Sequence, residues 1–164
     1  MTILAALLLA STAAPVCAAP APLAEPWTSW RQSGEAKAGA QLLGAPTLIL
    51  GKPVTAALTP ADYVHFAAPP AKGAKEGQGG LFTLSLKQAA RIGIALSAAA
   101  WIDVVDGTTA IASVEHGHGP DCSGIRKIVW FDLKPGKHIV QIAGSAAPTL
   151  RIMAADAKAN QPTR

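Results

Sequence analysis

Between residues 81 and 154 the chain repeats one pattern, a short run in which apolar residues alternate with other residues. A period of two is typical of β-strands with one buried face, because successive side chains point to opposite faces of a sheet. The apolar positions are Phe82, Leu84 and Leu86; Ile92, Ile94 and Leu96; Ile102 and Val104; Ala110, Ala112 and Val114; Val129, Phe131 and Leu133; Val140 and Ile142; Leu150 and Ile152. These seven runs predict an all-β fold, an antiparallel, jelly-roll-like β-sandwich.

Shorter runs of the same kind precede these, so the sandwich domain is predicted to span residues 47–156. Pro, Gly and Ala dominate residues 19–46, which are predicted to be mostly irregular. Trp27 and Trp30 in this segment are spaced as on one turn of helix, or as in a tail that lies across a sheet. Residues 157–164 are predicted to form a disordered tail.

Two turn sequences predict β-hairpins. The Asp-Gly pair at 106–107 is favoured in type I′ turns and separates the run 101–105 from the run 109–115. The sequence Lys-Pro-Gly at 134–136 lies between two further alternating runs. We therefore expect each turn to connect strands that pair with each other.

The chain begins MTILAALLLASTAAPVCAAPAP, with an apolar run from Ile3 to Leu9 followed by small residues and Pro. This order is typical of a secretory signal peptide, and the run is too short to span a membrane. Residues 1–18 are therefore predicted to be a signal peptide, cleaved between residues 13 and 19, and the mature protein to be periplasmic or secreted. About 145 residues then remain, which is enough for one domain. No later apolar run is long enough for a membrane span.

The position of cleavage decides the state of the two cysteines, Cys17 and Cys122. Cleavage after Ala18 would leave Cys122 as a lone thiol, which in an oxidising compartment suggests metal binding, intermolecular pairing or reactivity. Cleavage near Ala13 would retain Cys17 and allow a disulfide that ties the N-terminal tail to the rest of the domain. We favour the disulfide.

Residues 115–124, Glu-His-Gly-His-Gly-Pro-Asp-Cys-Ser-Gly, are the stretch richest in ligand-type side chains. His116 and His118 would project from the same face of a strand, and a Gly-Pro turn could bring Asp121 and Cys122 back towards them. His116, His118 and Asp121 are therefore a candidate metal site. Copper or zinc would suit imidazole with thiolate, and iron would suit imidazole with carboxylate. The alternative is a polar, glycine-rich loop whose cysteine forms a structural disulfide.

The formal net charge of +4 comes from Lys and Arg residues scattered singly along the chain. A nucleic-acid surface needs clustered basic and aromatic residues, so we expect no nucleic-acid partner. The positive charge indicates solubility or a loose attraction to anionic polymers of the cell envelope. The expected partner is an envelope component or a protein that the sequence does not identify.

The C-terminal half contains the segments FTLSL, RIGIALS, WIDVVDG, IVWFDLKPGKHIVQIAG and LRIMA. These segments resemble the small secreted bacterial β-sandwiches related to the pre-peptidase C-terminal domain, which implies an accessory module without catalysis of its own. Taken together, WIDVV, HGHGPDCSGIRK and the DLKPG turn resemble a group of small exported sphingomonad-type proteins that often carry the label homogentisate 1,2-dioxygenase. That label implies a cupin holding non-haem iron through two His and one carboxylate.

Two short sequences are similar to the cupin motifs. His116 and His118 with Asp121 are similar to the first motif, and Pro-Gly-Lys-His at 135–138 is similar to the second. The spacing of both departs from that family. His138 has the same strand parity as the apolar residues that follow it, so it is expected to point into the sandwich and to be hydrogen-bonded there.

The sequence as a whole favours an exported, non-catalytic binding or accessory module. The alternative is a metal-binding protein or a cupin-like non-haem iron dioxygenase of the homogentisate 1,2-dioxygenase type that uses the histidine cluster.

Overall fold

The structure is a computed structural model that describes residues 17, 19–32, 34–70, 74 and 76–160. Apart from Cys17, the predicted signal peptide lies outside the described residues, and so do residues 161–164 of the predicted tail.

The described residues form twelve β-strands and two short 3-10 helices. The strands are β1 (Glu35–Lys37), β2 (Thr47–Leu48), β3 (Val54–Ala57), β4 (Thr59–Pro60), β5 (Gln78–Leu86), β6 (Ala90–Leu96), β7 (Trp101–Asp106), β8 (Thr109–Ile111), β9 (Glu115–Gly117), β10 (Lys127–Leu133), β11 (Gly136–Ser145) and β12 (Thr149–Asp156). The 3-10 helices are Ala61–Tyr63 and Ala157–Asn160. We expected residues 19–46 to be mostly irregular, and strand β1 lies within this segment.

The strands form two sheets that enclose a common core. Sheet A has the order β1-β3-β12-β6-β10-β9, and sheet B has the order β2-β5-β11-β7-β8, with β4 also paired to β5. Strands β1 and β3 are parallel, as are β2 and β5, so both sheets are mixed. The other pairings are antiparallel. The predicted all-β sandwich is confirmed.

The main core consists of the alternating apolar residues that the sequence pattern singled out. Ile94 of β6 and Phe131 of β10 contribute to it from sheet A, and Phe82 of β5 and Val140 of β11 contribute from sheet B. Each of these side chains is at most 1% exposed. Burying a side chain of this size contributes about 1.5–3 kcal/mol, so this layer is the main source of stability.

The two predicted hairpins have different outcomes. Strands β7 and β8 do form a hairpin, with Asp106 opposite Thr109 and Gly107 at φ +61°. The run predicted over 109–115 is divided, however, because β8 pairs in sheet B whereas β9 pairs with β10 in sheet A. The hairpin predicted at 134–136 is wrong, because β10 lies in sheet A and β11 in sheet B. The Pro-Gly sequence reverses the chain, but it does not determine which sheet the next strand joins.

Irregular segments cover the outer face of each sheet. The N-terminal strap, which we define as residues 17 and 19–32, crosses sheet A, and its Trp27 and Trp30 pack in one cluster with Ala95 and Met153. This is the tail lying across a sheet that the tryptophan spacing allowed. Residues 64–68 pack in a corresponding cluster on sheet B.

The start of the predicted disordered tail is ordered instead. Residues Ala157–Asn160 form a 3-10 helix that contacts β6. The backbone N–H of Lys158 donates a 2.8 Å hydrogen bond to the side chain of Asp156, which fixes the first turn. Across the described part of the chain, no helix has the length and apolarity needed to cross a membrane.

Candidate functional site

The histidine cluster lies at the edge of sheet A. His116 belongs to the edge strand β9, where it is opposite Val129 of β10. His116, His118 and Asp121 are all exposed. His118 Nδ1 is 2.9 Å from the carbonyl oxygen of Arg126, and because a carbonyl only accepts, this nitrogen is the donor.

The three predicted metal ligands do not converge. His116 and His118 line a cavity of about 150 Å³ together with Arg126 and Lys127, whereas Asp121 lines a different cavity of about 340 Å³ that it shares with His118. Among the residues that the structure describes, no group of three or more His, Cys, Asp or Glu side chains is placed to hold a metal ion. The two cationic side chains beside the histidines would also repel a bound cation.

Lys127 is held by the adjacent end of sheet B. Its Nζ donates a 3.0 Å hydrogen bond to the carbonyl of Ala100 and lies 5.1 Å from the ring centroid of Trp101. Burial lowers the pKa of Lys127, and the nearby Asp103 carboxylate opposes that shift. The ammonium group therefore links the two sheets at this edge.

Cys122 is bonded to Cys17, so the disulfide that we favoured is present. The two Cα atoms are 5.5 Å apart, and both cysteines of the sequence take part in the bond. The backbone N–H of Ala21 also donates to the carbonyl of Cys122 at 3.2 Å. The bond fixes one end of the N-terminal strap and leaves no thiolate that could act as a ligand or nucleophile.

His138 points into the sandwich, as its strand parity predicted, and is 3% exposed. Its Nε2–H donates a 2.8 Å hydrogen bond to the carbonyl of Lys134, while its Nδ1 is buried without a partner. The second cupin-like sequence therefore places its histidine in the core, whereas His116 and His118 are exposed at the edge of the other sheet.

A groove of about 710 Å³, which the sequence did not reveal, lies in the described part of the chain. We call it the strap groove. Its floor is the polar part of the outer face of sheet A, and its walls are the N-terminal strap and the turn at 122–124. The lining residues are Cys17, Ala19, Pro20, Trp30, Arg31, Thr55, Ser97, Cys122, Ser123, Gly124, Thr149, Leu150 and Arg151.

Strand alternation explains the polar floor. Leu150 and Ile152 of β12 belong to the core between the sheets, so Thr149 and Arg151 project from the opposite face. Thr55 of β3 is directly opposite Arg151 in the ladder. The tryptophans of the strap cover the apolar part of the same face, which leaves this polar part open.

Two arginines give the strap groove a positive charge. Arg151 Nη1 donates a 3.0 Å hydrogen bond to the carbonyl of Trp30, and its guanidinium carbon lies 5.9 Å from the centroid of that indole. Arg31 Nη2 donates to the carbonyl of Ala21, which connects the two ends of the strap. No carboxylate of the described residues forms an ion pair with either arginine. Since a guanidinium has five N–H donors, each keeps donors for a ligand.

No protein-family model matches this chain, and a search of curated proteins gave no significant match. The resemblances drawn from the sequence segments stay predictions.

Proposed function

We propose that this protein is an exported, non-catalytic binding module that takes its ligand in the strap groove. The observation that carries the proposal is a groove whose wall is a segment fixed at one end by the Cys17–Cys122 disulfide. A wall held in this way is ordered before the ligand arrives, which lowers the entropy cost of binding.

The disulfide and the leader sequence support export together. Disulfides persist in the periplasm and outside the cell and are rare in the cytosol. In this proposal the leader is cleaved before Cys17, because that residue is one partner of the bond. Of the two cleavage positions suggested by the sequence, the one near Ala13 is consistent with the disulfide.

The chemistry of the groove lining supports binding rather than catalysis. The described lining residues offer hydroxyl groups, guanidinium groups and apolar surface, and none of them carries an imidazole or a carboxylate. Both of its cysteines are joined in the disulfide. General acid–base catalysis and covalent catalysis depend on a group that can exchange a proton or attack a substrate near neutral pH.

The first test is the intact mass of protein recovered from the periplasm or medium. We expect a chain that begins before Cys17 and after the apolar run, and that has the mass of the oxidised form. A cytoplasmic protein that retains Met1 would refute export.

The second test locates the binding surface by NMR, with saccharide and protein fractions of the envelope added to ¹⁵N-labelled protein. We expect shifts at Thr55, Ser97 and Thr149, and loss of those shifts in Thr149→Tyr, which fills the groove. The matched control is Thr109→Tyr, which changes an exposed threonine on sheet B. Shifts that are absent with every fraction, or that survive Thr149→Tyr, would contradict binding in this groove.

A further inference from the structure

The charge of the strap groove selects against cations. Arg31 and Arg151 both line it, and none of the described lining residues is acidic. Glu35 of β1 is opposite Thr55 and projects from the same face of sheet A, but it lies beyond the lining residues. Among these described lining residues, an anionic group would therefore have two cationic neighbours and no anionic one.

The two guanidinium groups are positioned before a ligand binds. Arg151 is held by the carbonyl and ring of Trp30, which is 2% exposed, and Arg31 is held by the carbonyl of Ala21. Arginine presents a planar fork of N–H donors that matches the paired oxygens of a carboxylate or phosphate group. Because both side chains already have fixed partners, less rotamer entropy is lost when they bind such a group.

Hydroxyl side chains surround the arginines. Thr55, Ser97 and Thr149 line the same groove. Ser97 Oγ accepts a 2.8 Å hydrogen bond from the backbone N–H of Arg151, so its own O–H remains a donor. A ligand that carries several hydroxyls besides its charged group would satisfy these side chains, whereas a bare inorganic anion would not.

We propose that the strap groove binds an acidic saccharide, with its carboxylate or phosphate group held by Arg31 and Arg151 and its hydroxyls contacting Thr55, Ser97 and Thr149. This inference rests on the proposed binding function and names the class of ligand. Arginine recognises carboxylate and phosphate groups through the same N–H donors. The experiment therefore uses one saccharide with each charged group.

Isothermal titration calorimetry on the mature, oxidised protein tests the proposal with trigalacturonate, glucose 6-phosphate, neutral maltotriose and inorganic phosphate. At least one acidic saccharide should bind about tenfold to a hundredfold more tightly than maltotriose, as expected for a charge-assisted hydrogen-bonded pair. It should also bind more tightly than inorganic phosphate. The acidic saccharide that binds shows whether the groove takes a carboxylate or a phosphate group.

The variants Arg31→Gln and Arg151→Gln should each remove most of that preference, and raised salt should weaken it. The matched control, Arg126→Gln, removes the same charge from an exposed arginine outside the groove and should leave affinity within about twofold. Near-UV circular dichroism checks each fold. If Arg151→Gln loses the native spectrum, Arg31→Gln alone decides the outcome.

The proposal would be overturned if neutral and acidic saccharides bind equally well, or if neither acidic saccharide binds. It would also be overturned if all three arginine variants lose affinity for the acidic saccharide to the same extent. Envelope fractions that shift the groove resonances while the acidic saccharides do not bind would reject this ligand class and keep the binding module. Failure of every envelope fraction would reject the module itself.

Discussion

Arg151 and Trp30 are 121 positions apart in the sequence, yet the guanidinium of Arg151 donates to the Trp30 carbonyl and lies over its indole ring. This contact joins strand β12 to the N-terminal strap. Together with the Cys17–Cys122 bond, it makes the strap an integral layer of the domain. The strap groove exists because this layer stops short of the polar part of sheet A.

Trp30→Ala should destabilise the protein by about 3–5 kcal/mol, because it leaves a cavity in a buried cluster. Trp101→Ala is the matched control, since Trp101 is 46% exposed whereas Trp30 is 2% exposed. The control should cost about 1 kcal/mol or less. Urea denaturation followed by far-UV circular dichroism measures both changes in the free energy of unfolding. A change for Trp30→Ala as small as that expected for the control would mean that the strap packs weakly.

The double variant Cys17→Ser, Cys122→Ser should lower the free energy of unfolding by about 2–4 kcal/mol, because the bond closes a long loop in the unfolded chain. The two cysteines are separated by 105 positions. Reduced wild-type protein should behave like the variant in the same denaturation experiment. Unchanged stability in both samples would show that the strap is held without the disulfide.

The sequence predicted the core of the fold better than its connections. Alternation identified the buried positions of β5, β6, β10 and β11, because strand periodicity is a local property of the chain. It did not assign strands to sheets. The turn at 134–136 and the run 109–115 both cross between sheets, and that choice depends on packing of the whole domain.

For the functional residues too, the sequence predicted local features but not contacts between distant parts of the chain. Parity placed His138 correctly in the core, and the sequence favoured the Cys17–Cys122 disulfide on the condition that cleavage retains Cys17. The strap groove had no sequence signal, because Arg31 and Arg151 come together only after the strap folds over sheet A. The histidine cluster, which is dense in sequence, is spread over separate cavities.

The two glycines of the His-Gly-His-Gly sequence should differ in their tolerance of a side chain. A Cβ at Gly119 would lie 2.4 Å from Cβ of Ile125 and 2.7 Å from its carbonyl oxygen, whereas a Cβ at Gly117 meets nothing within 4 Å. Gly119→Ala should therefore cost about 1–3 kcal/mol and Gly117→Ala less than about 0.5 kcal/mol. Thermal unfolding compares them, and equal melting temperatures would contradict a close-packed turn.

His138 should tolerate an apolar residue of similar size better than a small one. His138→Ala leaves a cavity and should cost about 2–4 kcal/mol. His138→Leu loses the hydrogen bond to Lys134, but it also removes the buried Nδ1 that has no partner, so the loss should stay below about 1.5 kcal/mol. Chemical denaturation tests the order of the two variants. If leucine is as harmful as alanine, the hydrogen bond dominates.

The double variant His116→Ala, His118→Ala should leave the free energy of unfolding within about 1 kcal/mol of wild type, because exposed side chains contribute little burial. Among the residues that the structure describes, the variant loses the hydrogen bond from His118 to the Arg126 carbonyl. Because Arg126 and Lys127 line the same cavity as these histidines, we also expect no stoichiometric iron, copper or zinc that depends on the pair. Elemental analysis and isothermal titration with each metal, on wild type and variant, measure this directly. Tight binding of one equivalent by wild type that the variant loses would instead support the metalloprotein alternative, with the third ligand supplied by a rearrangement of the loop around Asp121.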